Sequence, residues 1–230
     1  MQGCMTRRYR RVHPFPSSWQ RKHDSFRATR HSPPVPDIVP VIPPNVPRRN
    51  RPVLRRLGLL GMRLMGWRVD GQLPDLSKFV IIVAPHTSNW DFLTGLFCDL
   101  ALDMDASWLA KHTIFVGPFG PLFKWLGGIP IDRSAAHNVV ADVAAEFERR
   151  DKLVLAITPE GTRKKVASWR SGYWRIARAA GVPILPVGLD FARRAAVIGT
   201  PRVPSESIEE DEAVFKAFFA GITPKRPELR

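Results

Sequence analysis

From residue 53 onward, apolar positions fall alternately into short continuous runs and longer amphipathic stretches. Phe79-Val80-Ile81-Ile82-Val83-Ala84 is apolar throughout, short and rich in β-branched residues, the pattern of a strand buried on both faces. The same criteria predict strands over 78–84, 107–113, 129–131, 153–157 and 183–189, and helices over 90–102, 118–126, 135–149, 172–180 and 208–219. Strands alternating with helices imply an α/β fold: a single layered domain, its central sheet mostly parallel and flanked by helices. In such folds ligands gather beyond the carboxyl ends of the strands.

Residues 1–52 break this rhythm. Prolines recur (Pro33, Pro34, Pro36, Pro40, Pro43, Pro44, Pro47, Pro52) without apolar periodicity, so the stretch reads as a disordered, basic, Pro-rich tail ahead of a domain over 53–224. Residues 1–51 carry eleven Arg or Lys against two Asp, which accounts for +9 of the chain's net +14. The remainder is only mildly basic. That balance suits anionic partners: lipid headgroups, phosphorylated substrates or nucleic acid. Tyr9, Trp19 and Phe26 could stack bases, but nothing in the foldable part repeats a nucleic-acid motif, so nucleic acid is the less favoured partner.

Residues 53–67 form the first foldable segment. A helical projection groups Arg56 with Arg63 and sets Leu54, Leu57, Leu64 and Met65 roughly opposite, while Leu59, Leu60 and Trp67 blur the division. A helix packed on the core and a helix lying in a membrane interface both fit that pattern. No stretch of 18 uninterrupted apolar residues occurs, so no transmembrane helix is predicted. The two cysteines, Cys4 and Cys98, allow neither a disulfide framework nor zinc-ligand spacing, and a reducing compartment is expected.

Candidate chemistry concentrates where the strand over 78–84 hands over to a helix, at Pro85-His86-Thr87-Ser88-Asn89-Trp90-Asp91-Phe92. Thr87, Ser88 or Asn89 can serve as N-cap. On a continuous helix His86 and Asp91 would stand about 140° apart. A turn between them would let the carboxylate fold back onto the imidazole and make it a general base. Alone, the pair reads more readily as a surface histidine and an acid favoured by the helix dipole.

Two further blocks end predicted strands: Gly128-Ile129-Pro130-Ile131-Asp132-Arg133 and Thr158-Pro159-Glu160-Gly161-Thr162-Arg163. Each places an arginine, whose planar fork suits phosphate, close to a glycine that lets the backbone turn. With Val182-Pro183-Ile184-Leu185-Pro186-Val187 as a fourth block, their order and spacing resemble the glycerolipid acyltransferases, a family that includes 1-acyl-glycerol-3-phosphate and glycerol-3-phosphate acyltransferases. The resemblance spans residues 54–190.

It implies that His86 is the general base and that Asp91 orients it. Arg133, Glu160, Gly161, Thr162 and Arg163 would shape the acceptor site, Pro186 the acyl side, and Lys111 occupies a setting where the family often has a lysine. The expected reaction moves a fatty acyl group from acyl-CoA or acyl-carrier protein to the hydroxyl of a lysophosphatidic acid or similar lysophospholipid. Another lysolipid or amino-acid lipid as acceptor, or a lipid-binding relative without turnover, are the alternatives. No metal or cofactor beyond the thioester co-substrate is expected. The partners are the acyl donor, the lysophospholipid and an anionic membrane surface, with the protein peripheral on its cytoplasmic face. Three departures bear on the acceptor: Lys164 where the family usually has Ser, Pro130 where a bulky aromatic is common, and Thr158 in place of an aromatic.

Overall fold

The computed structural model describes residues 38–131 and 136–229. Its strands are β1 (Arg68–Asp70), β2 (Lys78–Ala84), β3 (Ala106–Lys111), β4 (Gly128–Ile131), β5 (Leu153–Ile157), β6 (Ile184–Asp190) and β7 (Ala195–Ile198). The helices are α1 (Pro52–Met65), α2 (Asn89–Ala101), α3 (Gly120–Trp125), α4 (Ala136–Arg149), α5 (Gly172–Ala180) and α6 (Ile208–Ala220). One sheet holds the strands in the order β1-β7-β6-β2-β5-β3-β4. Every pairing is parallel except β6 with β7.

Residues along β2 alternate between two cores, as pleated geometry requires. Phe79 and Ile81 pack with Met62 of α1 and with Cys98 and Ala101 of α2. Val80, Ile82 and Ala84 face the other way, against Val143 and Phe147 of α4, Tyr173 and Ile176 of α5, and Phe215 and Phe219 of α6. The sheet is therefore sandwiched between two helical layers. α1 lies unusually close to α2 because two of its residues lack side chains. A Cβ on Gly58 would sit 2.4 Å from the Ala101 nitrogen, and one on Gly61 would sit 2.6 Å from the Phe97 ring.

Two strands escape the sequence criteria. β1 has three residues, two of them charged, and β7 has four, Ala-Ala-Val-Ile; neither is long enough to display a period. They form because each completes the other's hydrogen-bonding edge. The expected strand over 107–113 also stops early, at Lys111, where a 3-10 turn (His112–Phe115) takes over.

The tail boundary needs correction. Residues 1–37 lie outside the described residues, but 38–51 are packed against the domain. Val39, Ile42 and Val46 are buried members of the first core. Main-chain bonds tie the segment down, with the Val69 N–H donating to the Ile38 carbonyl at 2.8 Å and the Arg49 N–H to the Asp103 carbonyl at 3.0 Å. Arg49 is the anchor. Its guanidinium donates to Asp99 Oδ2 at 3.0 Å and to the carbonyls of Met104, Ala106 and Leu126 at 2.9, 3.2 and 3.1 Å. A proline-rich stretch without internal periodicity is ordered here by contacts distant in sequence, which periodicity does not register.

The outer face of α1 stays uncovered. Val53, Leu57, Leu60 and Leu64 are exposed there beside Arg55, Arg56 and Arg63. Exposed Val116, Phe119, Leu122 and Trp125 surround α3, and the Arg51 guanidinium lies 4.8 Å from the centre of the Trp125 ring, joining the two patches. Among the described residues no helix is long and apolar enough to cross a membrane.

Candidate active site

β2 and β5 are parallel neighbours, so the loops that leave their carboxyl ends meet at one edge of the sheet. The β2 loop carries His86, and the β5 loop carries Glu160. Glu160 Oε2 accepts the His86 main-chain N–H at 2.6 Å, which fixes the height of the histidine above the sheet.

Ser88 then caps α2: its hydroxyl accepts the Trp90 N–H at 3.2 Å, and its extended backbone turns the chain into the helix. Asp91, three residues on, closes a capping box. Its Oδ2 accepts the Thr87 and Ser88 N–H groups at 2.7 and 2.8 Å and stands 3.0 Å from His86 Nδ1. A turn does separate the two side chains, and the carboxylate does reach back. A carboxylate only accepts, so Nδ1 carries the proton and the Nε2 lone pair is free to act as a base. The Asp91 side chain is 2% exposed and the imidazole 19%, so the acid is sealed while the ring keeps an outlet. Among the described residues, Asp91 Oδ1 has no hydrogen-bond partner.

That outlet opens on a cavity of about 690 Å³ between α2 and the sheet. His86, Lys111, Thr162 and Arg163 line it at the carboxyl edge. Leu96, Leu102, Leu109, Phe123, Val187 and Leu189 give most of it an apolar wall. The lining runs from Lys111 to Ala106, the full length of β3, so the cavity is about 16 Å deep at the usual strand rise. Gly95, on the α2 side, leaves open space where a Cβ would stand.

Burial shifts two groups in the wall. Burial, reinforced by Asp99, pushes the Cys98 thiol up to about 12, so it stays protonated and is no nucleophile. Burial also pushes the Asp99 carboxyl up to about 7, although Arg49 pulls the other way. Among the described residues, no group of three or more His, Cys, Asp or Glu side chains is placed to hold a metal ion.

His86, Asp91, Gly161, Thr162, Arg163 and Lys111 all line the cavity, with Gly161 in the left-handed region at φ 64°. Glu160 braces the base from behind. Arg133 lies outside the described residues. Pro186 is not part of the lining: it is buried opposite Ile82 on the other face of β6, and its neighbour Val187 lines the cavity instead. A strand cannot turn consecutive residues to the same face.

Phe92, Trp108 and Phe123 also line the cavity and were not among the expected site residues. Phe92 and Trp108 meet edge to face at 4.9 Å between ring centres, and Phe123 stands 6.3 Å from Phe92. They come from three separate elements, so no local motif announces them.

Fold and site together define a class: an α/β protein with a carboxylate-oriented histidine base at the mouth of a deep apolar cavity. The chain belongs to the acyltransferase family, whose model matches residues 68–190. It is 30% identical over 133 residues to the 1-acyl-sn-glycerol-3-phosphate acyltransferase of Escherichia coli (strain K12), covering 54% of this chain and 53% of the relative. The enzyme of the same name from Haemophilus influenzae (strain ATCC 51907 / DSM 11121 / KW20 / Rd) is also 30% identical, with 54% of each chain covered. The chain thus spans about half the length of these curated relatives. The crystal structure of the 1-acyl-sn-glycerophosphate (LPA) acyltransferase from Thermotoga maritima shares the fold, with a TM-score of 0.51 at 20% identity over 75% of this chain and 82% of that one.

Proposed function

We propose that this protein is an O-acyltransferase that moves a fatty acyl group from a thioester donor, acyl-CoA or acyl-carrier protein, to the free hydroxyl of a lysophosphatidic acid. The observation that carries this reading is His86 Nδ1 bonded at 3.0 Å to the buried Asp91, with the imidazole facing an apolar cavity. Nε2 takes the proton of the acceptor hydroxyl as its oxygen attacks the thioester carbonyl. Asp91 stabilises the imidazolium that results. The tetrahedral intermediate collapses, the C–S bond breaks, and the departing thiolate takes the proton back from Nε2. The products are an ester and a free thiol. A thioester is already activated, so a positioned base is enough to begin, without an enzyme nucleophile or a further cofactor.

The cavity suits the acyl chain by its depth and its apolar wall. Lys111 and Arg163, and Arg133 by the family resemblance, suit the phosphate of the acceptor. The exposed apolar and basic faces of α1 and α3 suit peripheral attachment to the cytoplasmic face of an anionic membrane, where lysophospholipid is presented. The test supplies purified protein with isotopically labelled acyl-CoA, or acyl-carrier protein, and a panel of lysolipids, and identifies products by mass spectrometry. Labelled diacylglycerol phosphate is the expected product. Label confined to free fatty acid, with no acylated lysolipid, would reject the reading.

A further inference from the structure

The C-terminal segment 222–229 lies outside the family-matched residues, and no step of the mechanism uses it. Yet its main chain is fastened beside the base. The Arg226 N–H donates to Thr87 Oγ1 at 3.2 Å, and the Phe191 N–H donates to the Thr223 carbonyl at 2.8 Å. Thr87 directly follows His86 and is 3% exposed. The Lys225 ammonium lies 5.9 Å from the centre of the Trp90 ring and 5.6 Å from that of Phe191. Trp90 immediately precedes Asp91.

Both cationic side chains are exposed, and among the described residues neither forms an ion pair with a carboxylate. A solitary surface lysine or arginine would mean little. Here the main chain between two adjacent cations is tied to the residue after the base, and the ammonium of the first lies near two aromatic rings. Sheet order adds a further point. Phe191 follows β6, and β6 flanks β2 on the side away from β5 and β3. The C-terminal segment is therefore fastened on the β6 side of β2, away from the β5 and β3 side where Lys111 and Arg163 line the cavity.

We infer that Lys225 and Arg226 form a second phosphate-recognition element, one that binds the phosphate of the acceptor lipid and sets its affinity. This rests on the acyl-transfer reading for its choice of ligand. A phosphomonoester offers three oxygens, so it can engage an arginine fork on one side while another cation holds it from the opposite flank. Donor diphosphate and membrane lipid carry the same chemistry, and the experiment separates the three.

Direct binding of lysophosphatidic acid to the full chain is measured by calorimetry in neutral detergent micelles, without donor. The double variant Lys225→Ala/Arg226→Ala is compared with wild type and with the charge-preserving pair Lys225→Arg/Arg226→Lys. We expect the double alanine variant to bind roughly tenfold more weakly, the charge-preserving pair to recover most of that loss, and acyl-CoA affinity to stay the same. In turnover the loss falls on KM for the acceptor. Unchanged lysophosphatidic acid affinity overturns the inference. So does a loss confined to acyl-CoA, a loss confined to anionic vesicles, or a wild type that binds no lysophosphatidic acid. Binding that depends on these cations without any turnover would keep the site and reject the acyl-transfer reading.

Discussion

Asp91 Oδ2 gathers two main-chain N–H groups and the imidazole, so one atom both starts α2 and sets the tautomer of the base. Asp91→Asn leaves a carbonyl oxygen for the cap but can present an amide N–H to Nδ1, favouring the wrong tautomer. We expect kcat to fall by on the order of 10³–10⁴ in steady-state assays, with the fold intact by circular dichroism. Glu160→Gln retains an acceptor for the His86 N–H and should cost far less than Glu160→Ala, which frees the loop; the two kcat values check this. Asp99 supplies a pH signature. Its carboxyl binds a proton more tightly in the folded protein, at about 7, than at its ordinary 3.8. Its contribution to stability is therefore fully present below pH 3.8 and is lost as pH rises through 7. Urea melts of Asp99→Asn should lack that decline across the window. His86 and Asp91 were legible because their spacing straddles a strand end and a capping signal. Arg49 was not, because nothing in a proline-rich basic stretch distinguishes a buried arginine from a solvated one.

Among elements, α2 carries the most consequence, since its first turn builds the site and its body roofs the cavity. Gly95 lies in that roof with open space beyond it. Gly95→Leu should fill the cavity and shift acyl preference toward shorter chains, read as the ratio of kcat/KM for long and short acyl-CoA. Gly95→Ala should raise stability by about 0.5–1 kcal/mol with little effect on that ratio. Helices and central strands could be read from the chain because each buries a periodic face. β1 and β7 could not, because their stability resides in pairing with each other and with β6. Pro186 shows a different limit. Its match to the fourth family block suggested the acyl side of the site, whereas strand alternation turns it to the opposite face of β6.

For the molecule as a whole, the uncovered faces of α1 and α3 are both apolar and basic, and Arg51 at the start of α1 lies against Trp125 of α3. Exposing Leu64 at 79% and Val116 at 80% to water has no evident structural benefit. Membrane contact would bury both. Leu57→Glu with Leu64→Glu should weaken partition onto anionic vesicles by at least about tenfold in sedimentation assays, given about 1.5–3 kcal/mol per buried leucine, while the thermal midpoint holds. The layered fold followed from the alternation of elements, whereas for α1 the sequence left a core-packed and a membrane-interface helix both open. A helical projection cannot say which of two apolar faces the core will take, and α1 uses its glycine-bearing face for α2.

The most direct measurement is the rate of labelled phosphatidic acid formation from acyl-CoA and lysophosphatidic acid by wild type and by His86→Ala, followed by mass spectrometry at matched protein concentration. Wild type should form product, and the variant should show a loss of at least about 10³-fold with an unchanged melting curve. A folded His86→Ala protein that turns over at the wild-type rate would contradict the account.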